Sequence, residues 1–270
     1  MMLTTETIYN TFKNSQQDVL ISKIRDLTLI KVSDKHYMVI AVDSDGGIGP
    51  MDGDVVKIPA YISGRFAIRV PLLEILSSGA TPVCAFDMLT MPMNEVGRDI
   101  LKGVKDELAA AGLDDDFPVS GSTEDNVPTN MTGIGTTIVG MVSKNDLRPG
   151  SSCPGNIIVC VGKPKSGPDD EIKLDDPEII SQKTMQQLLN TEGVNDLLPV
   201  GSHGVEFEAN EMAATAELDL ILEDNPGINI KKSAGPSTCV LISCASKTYE
   251  TLKADCDTPV FKIAELKRKN

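Results

Sequence analysis

The sequence predicts an α+β protein of two lobes, and three observations lead there. Strand-like and helix-like runs follow one another along the 270 residues without the regular βαβ period of a parallel sheet. A turn-rich stretch, Arg148-Pro-Gly-Ser-Ser-Cys-Pro-Gly155, interrupts the chain past its middle and marks a break near residue 150. A hydrophobic content of 41% is ample for a buried core on each side of that break. The expected lobes are therefore 1–150 and 151–270.

In the first lobe, Leu27 to Val32 and Tyr37 to Val42 read as strands, and an acidic, glycine-rich loop follows them. Residues Ala60 to Ser78 form a helical run with Ile62, Phe66, Val70 and Leu73 on one face, which Pro71 is expected to kink or divide. Gly79-Ala-Thr-Pro82 stops it, and Val83 to Met93 alternates like a strand. Arg98 to Ala111 sets Ile100, Val104 and Leu108 at helical spacing before Gly112. A polar loop, Ser120 to Asn126, then precedes the β-branched run Gly133 to Val142. In the second lobe the expected elements are strand Ile157 to Val161, helix Ile179 to Leu189, helix Val205 to Leu222, strand Thr238 to Ser243, helix Tyr249 to Lys253 and strand Val260 to Ile263.

Composition narrows the function. A formal charge of −14, with no basic cluster apart from Lys267-Arg-Lys269, argues against nucleic acid or an anionic membrane as partner. An anionic ligand needs a cation to mediate. The first ten residues lack the charged start and apolar run of a signal peptide, and no apolar stretch is long enough to span a bilayer. Six cysteines show no Cys-x-x-Cys spacing, which fits reduced core thiols in a cytoplasmic setting best, with a zinc site as the lesser alternative.

The chemistry concentrates in Met38-Val-Ile-Ala-Val42 running into Asp43-Ser-Asp-Gly-Gly-Ile-Gly-Pro-Met-Asp-Gly-Asp54. Carboxylates crowded on a glycine-rich segment repel one another unless a hard divalent cation sits among them. An EF-hand reading fails, because Ile48 stands where glycine is required and Asp54 where glutamate is usual. A dinucleotide fingerprint fails too, since Gly46-Gly-Ile-Gly49 lacks the G-x-G-x-x-G spacing. A plain acidic turn remains open. Ser120-Gly-Ser-Thr-Glu-Asp-Asn126 offers hydroxyls and backbone amides that suit phosphate oxygens or a capped turn equally well. Asp26 precedes a strand, and Glu74 lies inside the apolar run Pro71 to Leu76, where it pairs with Arg69 or faces water. His203, ahead of a helix, serves as a general base, touches an anion, or caps that helix.

The order of these pieces resembles, over almost the whole chain, the superfamily of aminoimidazole ribonucleotide synthetase, thiamine-monophosphate kinase, selenophosphate synthetase and a hydrogenase maturation protein. Its pattern has an Asp-Asp pair before a strand, Thr-Asp at the end of the next, Asp-x₄-Gly-Ala at a helix end, and a Gly-Gly-Asp-Thr loop. Here the matching stretches are Arg25-Asp26, Val42-Asp43, Glu74 to Gly79-Ala80, and Ser120-Gly121-Ser122-Thr123. Glu74 keeps a carboxylate with longer reach, whereas Ser122 removes one, for which Glu124 or Asp125 compensates. A narrower likeness, carried by Gly53 to Pro59, Gly64-Arg65, Ser120 to Thr129 and Thr132-Gly133, is to the α-ribazole kinase branch.

The resemblance implies an aminoimidazole ribonucleotide synthetase-like fold, with an N-terminal mixed-sheet lobe that pairs in a homodimer and a nucleotide at the dimer interface. It implies ATP as phosphoryl donor, and the ribose 5-hydroxyl of α-ribazole, destined for the lower ligand of cobalamin, as acceptor. On this reading Asp26, Asp43, Asp45 and Glu74 hold Mg²⁺ against the ATP phosphates. Gly121, Ser122, Thr123 and Glu124 complete the nucleotide site, Lys57 and Arg65 contact phosphate, and Lys57 and His203 are the catalytic candidates, His203 orienting the acceptor hydroxyl. Two rivals stand beside it: an ATP-dependent cyclising or amide-activating synthetase, and a nucleotide-binding scaffold without turnover.

Overall fold

A computed structural model describes residues 3–269. The first lobe runs α1 (Thr5–Lys13), β1 (Ile21–Ile24), β2 (Leu27–Lys31), β3 (His36–Gly46), β4 (Ile48–Gly49), β5 (Val56–Lys57), α2 (Ala60–Ser77), β6 (Thr81–Leu89), α3 (Arg98–Ala110), β7 (Val119–Thr123) and β8 (Gly133–Ser143). Its mixed six-stranded sheet has the order β1-β2-β3-β8-β6-β7, with only β6 and β7 parallel. Strict alternation sets its faces. In β8 every second residue is buried, and Ile134, Ile138 and Val142 meet Ile68, Leu72 and Ile75 of α2 and Ile100 and Val104 of α3 in one core.

The second lobe runs β9 (Ile157–Val161), α4 (Gln182–Leu189), β10 (Val194–Pro199), α5 (Gly204–Thr215), β11 (Leu218–Leu222), β12 (Val240–Cys244), α6 (Ser246–Asp255) and β13 (Val260–Arg268). These form an antiparallel sheet in the order β10-β12-β9-β13-β11. Every residue of β9 and β12 is buried, so this sheet is covered on both faces. Helix α5 packs on one face through Val205, Ala209 and Met212. On the other lie Met185 and Leu188 of α4, Leu252 of α6 and, from the first lobe, Leu73 of α2.

Helix α2 thus stands between the two sheets, which explains why it is apolar nearly all round. It is neither divided nor ended by Pro71. Proline at 71 cannot donate to the carbonyl of Ala67, four residues back, and that orphaned acceptor is taken instead by the Thr136 hydroxyl of β8 at 2.9 Å. Of the face expected to be core, Ile62, Phe66 and Val70 line a cleft and only Leu73 enters a core cluster.

Several elements differ from expectation. The run Val205 to Leu222 is a helix only to Thr215, and the chain reverses at Glu217, whose φ of +56° is left-handed, into strand β11. Leu218, Leu220 and Leu222 satisfy period two, while Leu218 and Leu222 alone also satisfy helical spacing, so periodicity could not decide. Ser120 to Thr123, expected as loop, belongs to edge strand β7. Asp43 and Asp45 belong to β3 and not to the loop after it. Strand β10 and the N-terminal α1 and β1 carried no expectation. The connection between the two sheets, residues 144–156, contains residue 150.

Candidate functional site

Strand β3 delivers the first acids. Val39 and Ala41 point into the core, and the same alternation puts Asp43 and Asp45, both partly buried, on that face toward the end of the strand. Both line a cleft of about 950 Å³ between the lobes. Its first-lobe wall continues through Lys57 and an apolar shelf of Ile58, Ile62, Phe66 and Val70, and its second-lobe wall comes from residues 166–175, Gly201-Ser202 and 233–237. Burial pushes the Asp43 carboxyl above its ordinary range. Burial, and then the neighbouring Asp43, pushes Asp45 up to about 6.

A second cavity of about 50 Å³, which shares Val70, Gly201 and Ser237 with the cleft, brings together Asp26 from the β1–β2 turn, Glu74 from α2 and Glu208 from α5. Glu74 is pushed up to about 8, by burial first and then by Asp26, Asp43 and Glu208. Its Oε2 is buried with no hydrogen-bond partner. Glu208 is pushed up to about 7 by burial and by Asp26, against the opposing hydrogen bond from the Gly201 backbone. Sequence reasoning missed Glu208, although it sits on the stripe of Val205, Ala209 and Met212 as an acid among buried apolar residues. That same signal had singled out Glu74.

These carboxylates suit a hard cation in their donor chemistry, and the orphaned Glu74 oxygen is an acceptor waiting for positive charge. They are not a preformed cage: among the described residues no three His, Cys, Asp or Glu side chains lie close enough to hold a metal. A hard cation here would have to keep waters and share its remaining positions between one or two of these carboxylates and a ligand's oxygens.

Other candidates lie elsewhere. Lys57 is exposed on the cleft wall, its Nζ donating to the Met51 carbonyl. Arg65 turns away from the cleft: its Nε donates to Glu107 of α3 at 2.6 Å and its Nη1 to the Tyr61 hydroxyl at 2.9 Å. A guanidinium occupied by a carboxylate that is 1% exposed is a structural tie between helices, which corrects the phosphate-contact expectation. The His203 ring packs on Phe207 with centroids 4.7 Å apart and makes no side-chain cap to α5, so the capping expectation does not describe it.

Gly121, Ser122 and Thr123 lie on the far edge of the sheet. The register Thr123↔Leu89↔Ile134↔Asp45 puts three strand spacings, roughly 14 Å, between that edge and the β3 acids. Glu124 accepts from the Asn126 and Val127 amides, which hold its carboxyl below the usual range, and Thr123 donates to Asp125. Within one chain this loop does not meet the cleft. Asp54, the last acid of the glycine-rich segment, is buried and accepts from the Met51 amide and from both the amide and the hydroxyl of Thr132. Gly49 makes room for that clamp, since a Cβ there would stand 2.3 Å from the Thr132 hydroxyl.

Residues 25–142 match the family model described as AIR synthase related protein, N-terminal domain. Comparison with curated protein sequences gives no match. Among solved structures, thiamine monophosphate kinase from Aquifex aeolicus superposes with a TM-score of 0.61 at 14% identity, covering 98% of this chain and 94% of that one. E. coli HypE, a hydrogenase maturation protein, superposes with a TM-score of 0.61 at 16% identity over 86% of this chain and 81% of its own. T. maritima PurL complexed with ATP gives 0.61 at 17% identity, with 96% of this chain spanning 45% of that larger one. At these identities the likeness shows a shared two-lobed fold. No helix among the described residues is long and apolar enough to cross a membrane.

Proposed function

We propose that this chain, which has the two-lobed aminoimidazole ribonucleotide synthetase-like fold, is a Mg-ATP-dependent kinase acting on an alcohol group of a nucleoside-type small molecule, with α-ribazole as its acceptor. One observation carries the reading: two partly buried, mutually repelling aspartates and an exposed lysine share the first-lobe wall of a cleft large enough for a nucleotide. Phosphoryl transfer asks a protein for alignment and charge neutralisation more than for covalent help.

Asp43 and Asp45, with Asp26 and Glu74 behind them, are the residues to hold Mg²⁺, which when bound neutralises charge on the phosphates. Lys57 reaches a phosphate oxygen on releasing the Met51 carbonyl. The apolar shelf of Ile62, Phe66 and Val70 takes a ring, and the hydroxyls of Ser202 and Ser233 on the opposite wall suit a polyol. The acceptor hydroxyl oxygen bonds to the γ-phosphorus as the bond to the β–γ bridging oxygen breaks. ADP leaves, and the hydroxyl proton passes to a second-lobe carboxylate, for which Asp175 on the cleft wall is the candidate.

A homodimer supports the scheme. Helices cover one face of the first-lobe sheet, while Val42, Phe86 and Met88 stand exposed on the other, Val42 and Phe86 flanking Thr137 in register. Pairing two such faces buries them and brings a second β7 edge toward the nucleotide. A single-chain mass that persists in sedimentation at micromolar concentration excludes the pairing.

A second reading, a nucleotide-binding scaffold without turnover, is favoured by the separation of Ser122 and Thr123 from the β3 acids. Incubation with Mg-ATP and α-ribazole separates the two. The kinase gives ADP and an acceptor heavier by one phosphoryl group; bound ATP with neither product across a nucleoside panel leaves the scaffold.

A further inference from the structure

Arg25 stands where the superfamily pattern carries an acid, and the structure gives it a partner that no sequence pattern announced. Its guanidinium reaches across to β10 of the second lobe, donating from Nη1 to Asp196 Oδ1 at 3.0 Å and from Nη2 to Oδ2 at 2.5 Å. Nη1 also donates to the Leu197 carbonyl and Nε to the Thr215 hydroxyl. The two side chains are 4% and 0% exposed. Asp196 Oδ2 further accepts from the Gly150 amide at 3.0 Å and from the Ser152 hydroxyl at 3.5 Å. One carboxylate therefore gathers the connection between the lobes, the edge of the second sheet and the β1–β2 turn of the first.

That turn is unusual in its backbone. Arg25 holds φ of +54°, in the left-handed region that a long side chain adopts only where its surroundings enforce it. The next residue is Asp26, whose direction follows from the same turn and which lines the cavity with Glu74 and, from the second lobe, Gly201 and Glu208. A buried ion pair adds little stability over a well-packed apolar substitute. Fixing one arrangement of the lobes is the use that remains.

We propose that Arg25 is a positioning residue, whose buried fork to Asp196 sets the placement of Asp26 relative to Glu74 and the second lobe. The proposal rests on the kinase reading for its effect on turnover and on the turn geometry for its effect on the chain.

The test uses the full chain with Arg25→Lys, and the double variant Arg25→Met/Asp196→Leu, which removes both charges and so leaves none buried alone. Backbone hydrogen exchange, thermal unfolding and Mg-ATP-dependent ADP release are measured on each. Arg25→Lys keeps its charge and is expected to unfold close to the parent. Its amides at 26–29, 197, 198, 200 and 201 nonetheless exchange faster, kcat falls by about tenfold or more, and the Mg²⁺ concentration for half-maximal rate rises, with acceptor KM unchanged. The double variant shows the same local exchange and kinetic pattern. Parent-like exchange and kinetics in both variants overturn the proposal, as does faster exchange spread evenly over both lobes. A parent that releases no ADP with any acceptor defeats the kinase reading, and the exchange pattern alone then decides the positioning role.

Discussion

Two sets of buried acids sit within this molecule under opposite arrangements. Glu107 is wrapped by Arg65, Arg69 and Gln182, and Asp196 by Arg25 and the Gly150 amide. Asp43, Asp45 and Glu74 are partly buried and Glu208 is buried, none of the four has an ion-pair partner among the described residues, and neighbouring acids raise their affinity for protons. The first set joins elements: Glu107 ties α2 and α3 to the second lobe through Gln182, while Arg69 reaches the Ile180 carbonyl. The second set lines cavities. A fold that gives two carboxylates an arginine ion pair and four others none leaves those four open to a ligand's charge.

The strongest way to break the contrast is Glu107→Ala. It strips Arg65 and Gln182 of their acceptor and Arg69 of its countercharge, and chemical denaturation is expected to show a loss of about 3–5 kcal/mol. A loss under 1 kcal/mol makes the wrapped acids no different from surface charges. Asp43→Asn is expected to do the reverse, lowering Mg-ATP-dependent ADP release by about 10²–10³-fold while the unfolding temperature holds or rises. Retained turnover removes Asp43 from the site.

Acidity sharpens the same contrast. Glu74 at about 8 and Glu208 at about 7 bind more protons folded than unfolded, where both lie near 4.5. Their contribution is fully present below the unfolded value and is lost as pH rises through 7 and 8. Unfolding midpoints in chelator are therefore expected to fall from pH 5.5 to 8.5, and added Mg²⁺ to restore them most at the alkaline end. Glu74→Gln should flatten that slope and stabilise the cation-free chain at pH 8 by about 1–2 kcal/mol. A midpoint that climbs with pH contradicts both statements. Least in size, Lys57→Met should raise the ATP KM by about tenfold and change stability by less than about 0.5 kcal/mol, whereas Arg65→Met costs measurable stability.

Much of the first lobe was legible because its signals are local. β8 alternates over its whole length, and α3 carries three apolar residues at helical spacing before a glycine. Asp43 and Asp45 were legible as a pair, since carboxylates two positions apart on a glycine-rich segment repel one another without a cation. Their belonging to β3 was not, because the pairing Asp43↔Thr136 depends on a partner 93 residues away. Arg65 misled for a similar reason: its neighbour Gly64 carried a family likeness, but the acid that occupies it lies 42 positions along. Glu208 needed the second lobe to fold over the first before its company with Asp26 and Glu74 existed. β11 was lost to a leucine spacing that both periods accept.

The hydroxyl of Thr136 that closes the gap left by Pro71 has a wider effect. Thr136 lies directly across from Asp43, and it grips α2 at Ala67, the residue after Phe66. The span between the acidic end of the cleft and its apolar shelf is thereby a fixed ruler, since sliding the helix along the sheet would strand the Ala67 carbonyl. A ligand longer or shorter than that ruler cannot be met by the first lobe, and any accommodation to ligand size falls to the second-lobe wall of residues 166–175.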